Sequence, residues 1–424
     1  MADPVWKQSV QMDLRPAYYD AFRCLAQDCR LSCCKGWNVT FDKKDYEKLR
    51  QHARIPVLAE SLNAGLSKLE KESLKKQTRH YAELKMQNGA CPLLAENGLC
   101  RLQLHSGEQA LPFVCRTFPR VERYSRMGYL ERSLTLGCEG VLYQLWNLPD
   151  GVEFCSDPLT PQRCGTISGD TPPSILPEQC HHIRSLCIDL LQDRRLPLSQ
   201  RVLLVGLRLQ ALIQGQEEPA EWLAATEGLL NLPETVEIAK PLMVSDERAK
   251  TMCLINNVVL LERLKANSPA FKVLHSVLFE TLNFEVKSDF KNETIFMGPY
   301  QKAQEKFESL YRDEEYFFEN LAVALFFHLN MPTGSTKEEW WKSYVNYCNI
   351  LSFYRFLAVL STTAVLPPLN GEALDPGSKE ALIYLLTQAS RALLHNSRRT
   401  NQLRDEFFKN DSATLAHMAI LLCG

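Results

Sequence analysis

Residues 24–34 read CLAQDCRLSCC, which places Cys24, Cys29, Cys33 and Cys34 within eleven positions. Cys91 and Cys100 follow in CPLLAENGLC, Cys115 in VCRTFPR and Cys138 in LGCEG, so eight thiols fall between positions 24 and 138. Thiolates at this density repel one another unless a cation sits among them or they pair, which leaves a zinc site, an iron–sulfur cluster or a disulfide framework. The opening MADPVWKQSVQMDLRP has no basic segment followed by an apolar run, and apolar stretches such as LAVALFFHLNM are too short to span a membrane. These features predict a cytoplasmic protein without a membrane span. Disulfides rarely persist in a reducing compartment, so the metal readings come forward.

Spacing narrows the choice further. Zinc modules usually present paired CxxC knuckles, and no cysteine pair here has that spacing. The CxxxCxxC spacing of radical enzymes is absent too, because four and then three residues separate Cys29 from Cys24 and Cys33 from Cys29. Eight irregularly spaced thiols exceed the need of one tetrahedral zinc and favour an iron–sulfur cluster, with structural zinc the alternative. Cys24, Cys29, Cys33, Cys34, Cys91, Cys100, Cys115 and Cys138 are therefore the candidate metal ligands, expected to converge in space. Of the adjacent Cys33 and Cys34, only one is expected to ligate.

Outward from the cysteines, GWNVTF alternates like a strand through Trp37, Val39 and Phe41, and Asp42 is placed to cap a following helix. LSKLEKESLKKQTRHYAELK is charged on nearly every side and reads as an exposed helix or arm. The dipeptides Asn88-Gly89 and Asn97-Gly98 mark turns around Cys91. Pro149, Pro158, Pro161, Pro172, Pro173 and Pro177 mark residues 149–177 as a connector. Beyond it, apolar residues recur at spacings of three and four through LSQRVLLVGLRLQALIQ, WWKSYVNYCNILSFYRFLAVLST and SKEALIYLLTQASRALLHN. The expected fold is mainly α: a loop-rich cysteine module with a few short strands over 1–148, the connector, and an all-helical domain over 178–424.

Residues 1–140 carry 22 Lys and Arg against 16 Asp and Glu, a balance of +6, while the rest of the chain carries a balance of −8. An anionic thiolate-held cluster would be stabilised by such basic surroundings. The patch is too dilute and too poor in interleaved aromatics for nucleic acid. No GxGxxG, HExxH or GxSxG motif is present.

Taken together, CLAQDCRLSCCKGWNVTFDKKDY, NGACPLLAENGLCRLQLHSGEQALPFVCRTFPR and SLTLGCEG, followed by FENLAVALFFHLNMP, resemble the bacterial flagellin lysine N-methylase family. The first two blocks are also similar to CxxCxxCC-type zinc- or iron-chelating domains, with looser spacing. The resemblance is closest in the cysteine-bearing part of the chain and weaker in the helical remainder. It implies methyl transfer from S-adenosylmethionine to lysines of flagellin, in the cytoplasm before export, by a protein carrying a 4Fe–4S cluster. Without a Rossmann-type glycine motif, the donor pocket must be of another design. Arg116 is the first candidate to hold the donor carboxylate and Arg120 the second. A lysine ammonium with a pKa of about 10.4 must lose its proton before attack, and Glu108, His105 and Tyr129 are candidates for that role. The competing readings are a metal-stabilised adaptor whose helical half binds a partner, and a redox protein.

Overall fold

Asp42 begins the first long helix as its position in the sequence predicts: its Oδ1 accepts the Asp45 N–H at 2.8 Å, and Lys43–His52 follows as helix. The computed structural model describes residues 12–36, 39–69, 81–124, 129–158, 166–167, 175–232, 247–280, 293–369, 372–394 and 413–423. Its contacts divide into two units. One comprises Phe22–Val121 with Cys138–Gly140, and the other Met1–Ala21, Glu122–Gly137 and Val141–Gly424.

In the first unit, Val39–Phe41 pairs antiparallel with Ala82–Leu84, which pairs in turn with Leu66–Lys68. Leu49 of the Lys43–His52 helix, and Leu58 and Leu62 of the helix Pro56–Gly65, pack with Val39, Phe41, Leu84, Leu93, Leu102 and Leu111 as one apolar core. Each fully buried leucine contributes about 1.5–3 kcal/mol, so this unit has a core of its own rather than depending on its thiols alone. Cys91 belongs to that core, and Cys34 and Cys100 pack against it. The expected arm over 66–85 is corrected at both described ends. Leu66–Lys68 and Ala82–Leu84 are strands, because Leu66 and Leu84 face each other in register and close the sheet over the helices. Trp37 and residues 70–80 lie outside the described residues.

A five-stranded mixed sheet has the order Phe154–Pro158, Met12–Pro16, Tyr129–Leu134, Arg120–Tyr124, Thr166–Ile167, and except for Arg120 and Val121 its residues belong to the second unit. Met12–Pro16 runs parallel to Tyr129–Leu134 and antiparallel to Phe154–Pro158. Residues 149–177 are thus more than a connector, since Phe154–Pro158 forms a sheet edge. Pro158 takes the last place of that edge strand, where the missing N–H costs little. The boundary expected at residue 148 also differs from the observed division, which groups Glu122–Gly137 with the helices.

The longest helix, Lys337–Leu360, is capped by Thr336, whose side chain accepts the Glu339 N–H. It packs against Lys379–Leu394, Leu415–Cys423, Leu198–Ile213, Glu293–Leu310 and Glu247–Leu264. Neighbours on so many sides explain its buried aromatics, Trp340, Tyr344, Tyr347, Phe353 and Tyr354, which serve packing. Ion pairs on the buried Glu319 brace the unit. Glu319 accepts from the half-exposed Arg194 and from the buried Arg201, which also donates through Nη1 to the Leu191 carbonyl and through Nε to the Leu196 carbonyl. Mainly helical architecture is as expected, but the C-terminal region is not all-helical. Leu366–Leu369 and Glu372–Leu374 form a short hairpin, where Pro367 and Pro368 cannot continue a helix.

Candidate functional site

The two cysteine blocks are joined by backbone. Cys91 N–H donates to the Cys34 carbonyl at 2.7 Å, Gly36 N–H donates to the Gly89 carbonyl at 3.1 Å, and Lys35 and Ala90 form an antiparallel bridge. The turn that permits this is the Asn88-Gly89 dipeptide, with φ of +50° and +78°, closing Gln87 on Ala90 as a two-residue hairpin loop. Leu94 bridges back to Cys100, and Cys100 opens the helix Arg101–Ser106. Cys115 is placed from another direction. Asp45 accepts the Phe113 N–H at 2.7 Å, and Lys48 Nζ donates to the Gln109 and Leu111 carbonyls, so one helix face holds the loop leading to Cys115.

This arrangement differentiates the thiols. Hydrogen bonds donated by the Cys33 and Cys91 thiols hold Cys34 well below the usual thiol range, although burial opposes the shift. The donors move the other way: Cys33 and Cys91 are raised, first by their bond to Cys34 and then by burial. Burial also raises Cys100, with the charge at Cys34 adding to it. At Cys115 desolvation pushes the thiol up to about 12, ahead of Cys34, Cys100 and Asp45; the residue keeps exposed area while its sulfur is enclosed. Cys34 thus accepts from the Cys33 and Cys91 thiols, and Cys100 and Cys115 lie near enough to be influenced by it. The neighbours Cys33 and Cys34 face one another across a hydrogen bond.

A second grouping lies around the start of the helix Glu139–Trp146. Glu139 is 3% exposed; its Oε2 accepts the Leu31 N–H at 2.8 Å and lies 3.5 Å from Cys29 Sγ. Burial, then Glu139 and Cys138, push Cys29 up to about 12. Cys24 is exposed, with its sulfur 3.4 Å from the Ala26 N–H. The described cysteines are all free thiols. Among the described residues no three His, Cys, Asp or Glu side chains stand together as a ready-made site for a metal ion. The donor chemistry nonetheless suits a thiophilic group: soft sulfurs arrive from separate loops around Cys34. Arg30, in the same loop, has its Nη1 shielded from water without a hydrogen-bond partner, a donor available to an anionic group.

The remaining candidates are spread over both units. In the cysteine unit, Arg116 is half-buried and donates to Gln109 Oε1 at 3.0 Å, while Arg120 donates to the Phe22 carbonyl at 3.3 Å and lies over the Phe22 ring. His105 and Glu108 are exposed. Tyr129 belongs to the other unit, stacked on His181 at 4.4 Å. Beside that pair Arg184, 1% exposed, binds Glu131, the Asn330 side chain and the Met331 carbonyl. Burial, and then Arg184 and His182, push His181 down to about 4, so its ring is neutral near pH 7. Glu139, Asp45 and Arg30 were not among the site candidates read from the sequence. Each lies beside a cysteine block or on a helix that faces one, yet nothing in their spacing announces contacts made with partners so distant along the chain.

Residues 184–421, more than half of the chain, match the family model described as the FliB lysine N-methylase C-terminal domain. The chain belongs to the FliB lysine N-methylase family. It is 29% identical over 178 residues to a lysine-N-methylase of Salmonella typhimurium, a match covering 42% of this chain and 41% of the relative. The lysine-N-methylase of Salmonella choleraesuis matches to the same extent. The flagellar biosynthetic protein FliU of Salmonella muenchen is 35% identical over 141 residues, or 32% of this chain and 78% of that protein. The matched region thus spans well under half the length of the curated lysine-N-methylases it matches. No solved structure matches the chain. Within the FliB family match, the helix bearing Arg184 lies at the edge of the matched residues, and the cysteine blocks fall before it.

Proposed function

We propose that the chain is an S-adenosylmethionine-dependent protein-lysine N-methyltransferase that acts on flagellin in the cytoplasm and carries a 4Fe–4S cluster on its cysteine unit. The observation that carries the activity is the family match over 184–421, supported by relatives named lysine-N-methylase and by a relative named for flagellar biosynthesis. What supports the cluster is the thiol set centred on Cys34.

Cys34, Cys91, Cys100 and Cys115 are the four residues that would hold the cluster, with Cys33 paired to Cys34. With one thiolate on each iron, such a cluster would supply a fixed anionic centre that organises the loops around the donor site. This chain's own residues do the rest. Arg116 lies one residue beyond Cys115, and its guanidinium, anchored to Gln109 through Nη1, keeps donors for a donor carboxylate. Arg120 is the second choice for that contact. The substrate lysine must reach the sulfonium methyl as a neutral amine, since only about four in ten thousand are neutral at pH 7 in water. Desolvation inside a closed site lowers an ammonium pKa and so supplies most of what is needed. The amine nitrogen then forms a bond to the methyl carbon as the carbon–sulfur bond breaks, the sulfonium leaves as a thioether, and the alkylated ammonium releases one proton.

Incubation of anaerobically purified, iron-replete protein with flagellin and isotopically methyl-labelled donor tests the proposal. Label on flagellin lysines is the expected result. Absence of both transfer and donor binding would refute it and leave the metal-stabilised adaptor as the better account.

A further inference from the structure

The tripeptide Cys138-Glu139-Gly140 touches the Phe22–Cys34 loop at every residue. Cys138 acts on Cys29 and Cys33 electrostatically, Glu139 binds Cys29 and Leu31, and a Cβ at Gly140 would stand 3.3 Å from Leu25 and 3.4 Å from the Phe22 ring. An alanine there would need the Leu25 and Phe22 side chains to give by a few tenths of an ångström.

Two features of this contact are costly if the loop is only a connection. Glu139 is a buried carboxylate, and among the described residues no Lys or Arg pairs with it; its Oε2 is spent on a backbone N–H and a thiol. Arg30, lying between the two residues Glu139 holds, has Nη1 shielded from water with nothing to donate to. A buried guanidinium nitrogen left without an acceptor is expensive, and it persists where a ligand satisfies it. The rest of the loop shows why it needs a clamp. It contains a single 3-10 turn at Ala26–Asp28, and Ala26 is held at a φ of +49°, so local hydrogen bonds alone do not define its path.

We infer that Glu139 clamps the Cys29–Leu31 turn so that Arg30 donates a hydrogen bond to the anionic, sulfur-bound group held by Cys34, Cys91, Cys100 and Cys115. The inference rests on the proposed reading of those cysteines as the holders of such a group. Glu139 is a positioning residue in this scheme, and Arg30 is the residue that touches the group. A guanidinium donor aimed at thiolate or sulfide sulfur makes the more reduced, more negative state easier to reach, so its loss shifts the reduction potential downward.

The experiment uses the full chain, reconstituted anaerobically with iron and sulfide, in wild-type form and as R30M, E139A and E139Q. Three quantities are read: iron and sulfide per chain, the midpoint potential by optical redox titration, and hydrogen exchange of the Leu31 amide. R30M is expected to keep iron near the wild-type level with a lower potential. In E139A the Leu31 amide should exchange at least tenfold faster, and the group should be lost to a chelator roughly ten to a hundred times more readily. E139Q keeps an oxygen that accepts the Leu31 N–H, so it should restore both. An unchanged potential in R30M, or an E139Q protein as defective as E139A, overturns the inference. A wild-type chain that takes up neither iron nor sulfide overturns instead the reading on which it rests.

Discussion

Replacing Asp45 by alanine probes how the cysteine unit places Cys115. Asp45 is 7% exposed, and its Oδ2 accepts the Phe113 N–H at 2.7 Å, acting as a cap supplied from a distant helix to the short helix Phe113–Thr117. Hydrogen bonds to charged groups contribute about 1.5–3 kcal/mol. The Lys48 ion pair at 3.6 Å is partly exposed and adds at most about 1 kcal/mol. Alanine returns a few tenths of a kcal/mol through its helix propensity. A net loss of about 2 kcal/mol should appear as exchange roughly thirty times faster at the amides of Phe113 and its neighbours. D45N retains an acceptor oxygen and should lose about half as much. The assay is hydrogen exchange resolved by residue in the full chain. Exchange at residues 113–115 within twofold of wild type in D45A would refute the idea that this carboxylate holds the Cys115 loop.

Three further outcomes follow from the same geometry. Cys34→Ser should abolish iron and sulfide uptake, while Cys24→Ser should leave it intact; metal analysis showing the reverse would displace Cys34 from the centre of the site. Glu319→Ala strands Arg201 as a buried unpaired cation and should destabilise the helical unit by about 3–5 kcal/mol in urea unfolding, with a change below about 1 kcal/mol counting against the pair. His181, held near 4 when folded against about 6.5 unfolded, binds a proton in the unfolded chain first, so stability should fall as pH drops from 6.5 towards 4. His181→Phe keeps the stack on Tyr129 and should flatten that part of the pH profile; an unaltered slope would exclude His181 as its source.

Local patterns told part of this beforehand. The period of the segments after residue 177 predicted helices, because that signal needs only neighbours three and four apart. Asp42 predicted a cap and Asn88-Gly89 a tight turn for the same reason. The Leu66–Lys68 strand was hidden, since a charged strand declares itself only through its partner at Ala82–Leu84. The proline-rich stretch concealed the Phe154–Pro158 edge strand in the same way, because its partner Met12–Pro16 lies near the other end of this part of the chain.

The sequence by itself determined that eight thiols would crowd one part of the chain, that turns would surround them and that helices would dominate the rest. Tertiary structure alone decided that the Cys91 thiol donates to Cys34, in addition to its neighbour Cys33. Backbone bonds between two distant blocks bring the Cys91 thiol there. It also decided that Glu139 and Asp45, ordinary acids in their own surroundings, hold the cysteine loops from a distance. Proton affinity and hydrogen bonding depend on distance in space and on the exclusion of water, and neither is written in the spacing of residues along a chain.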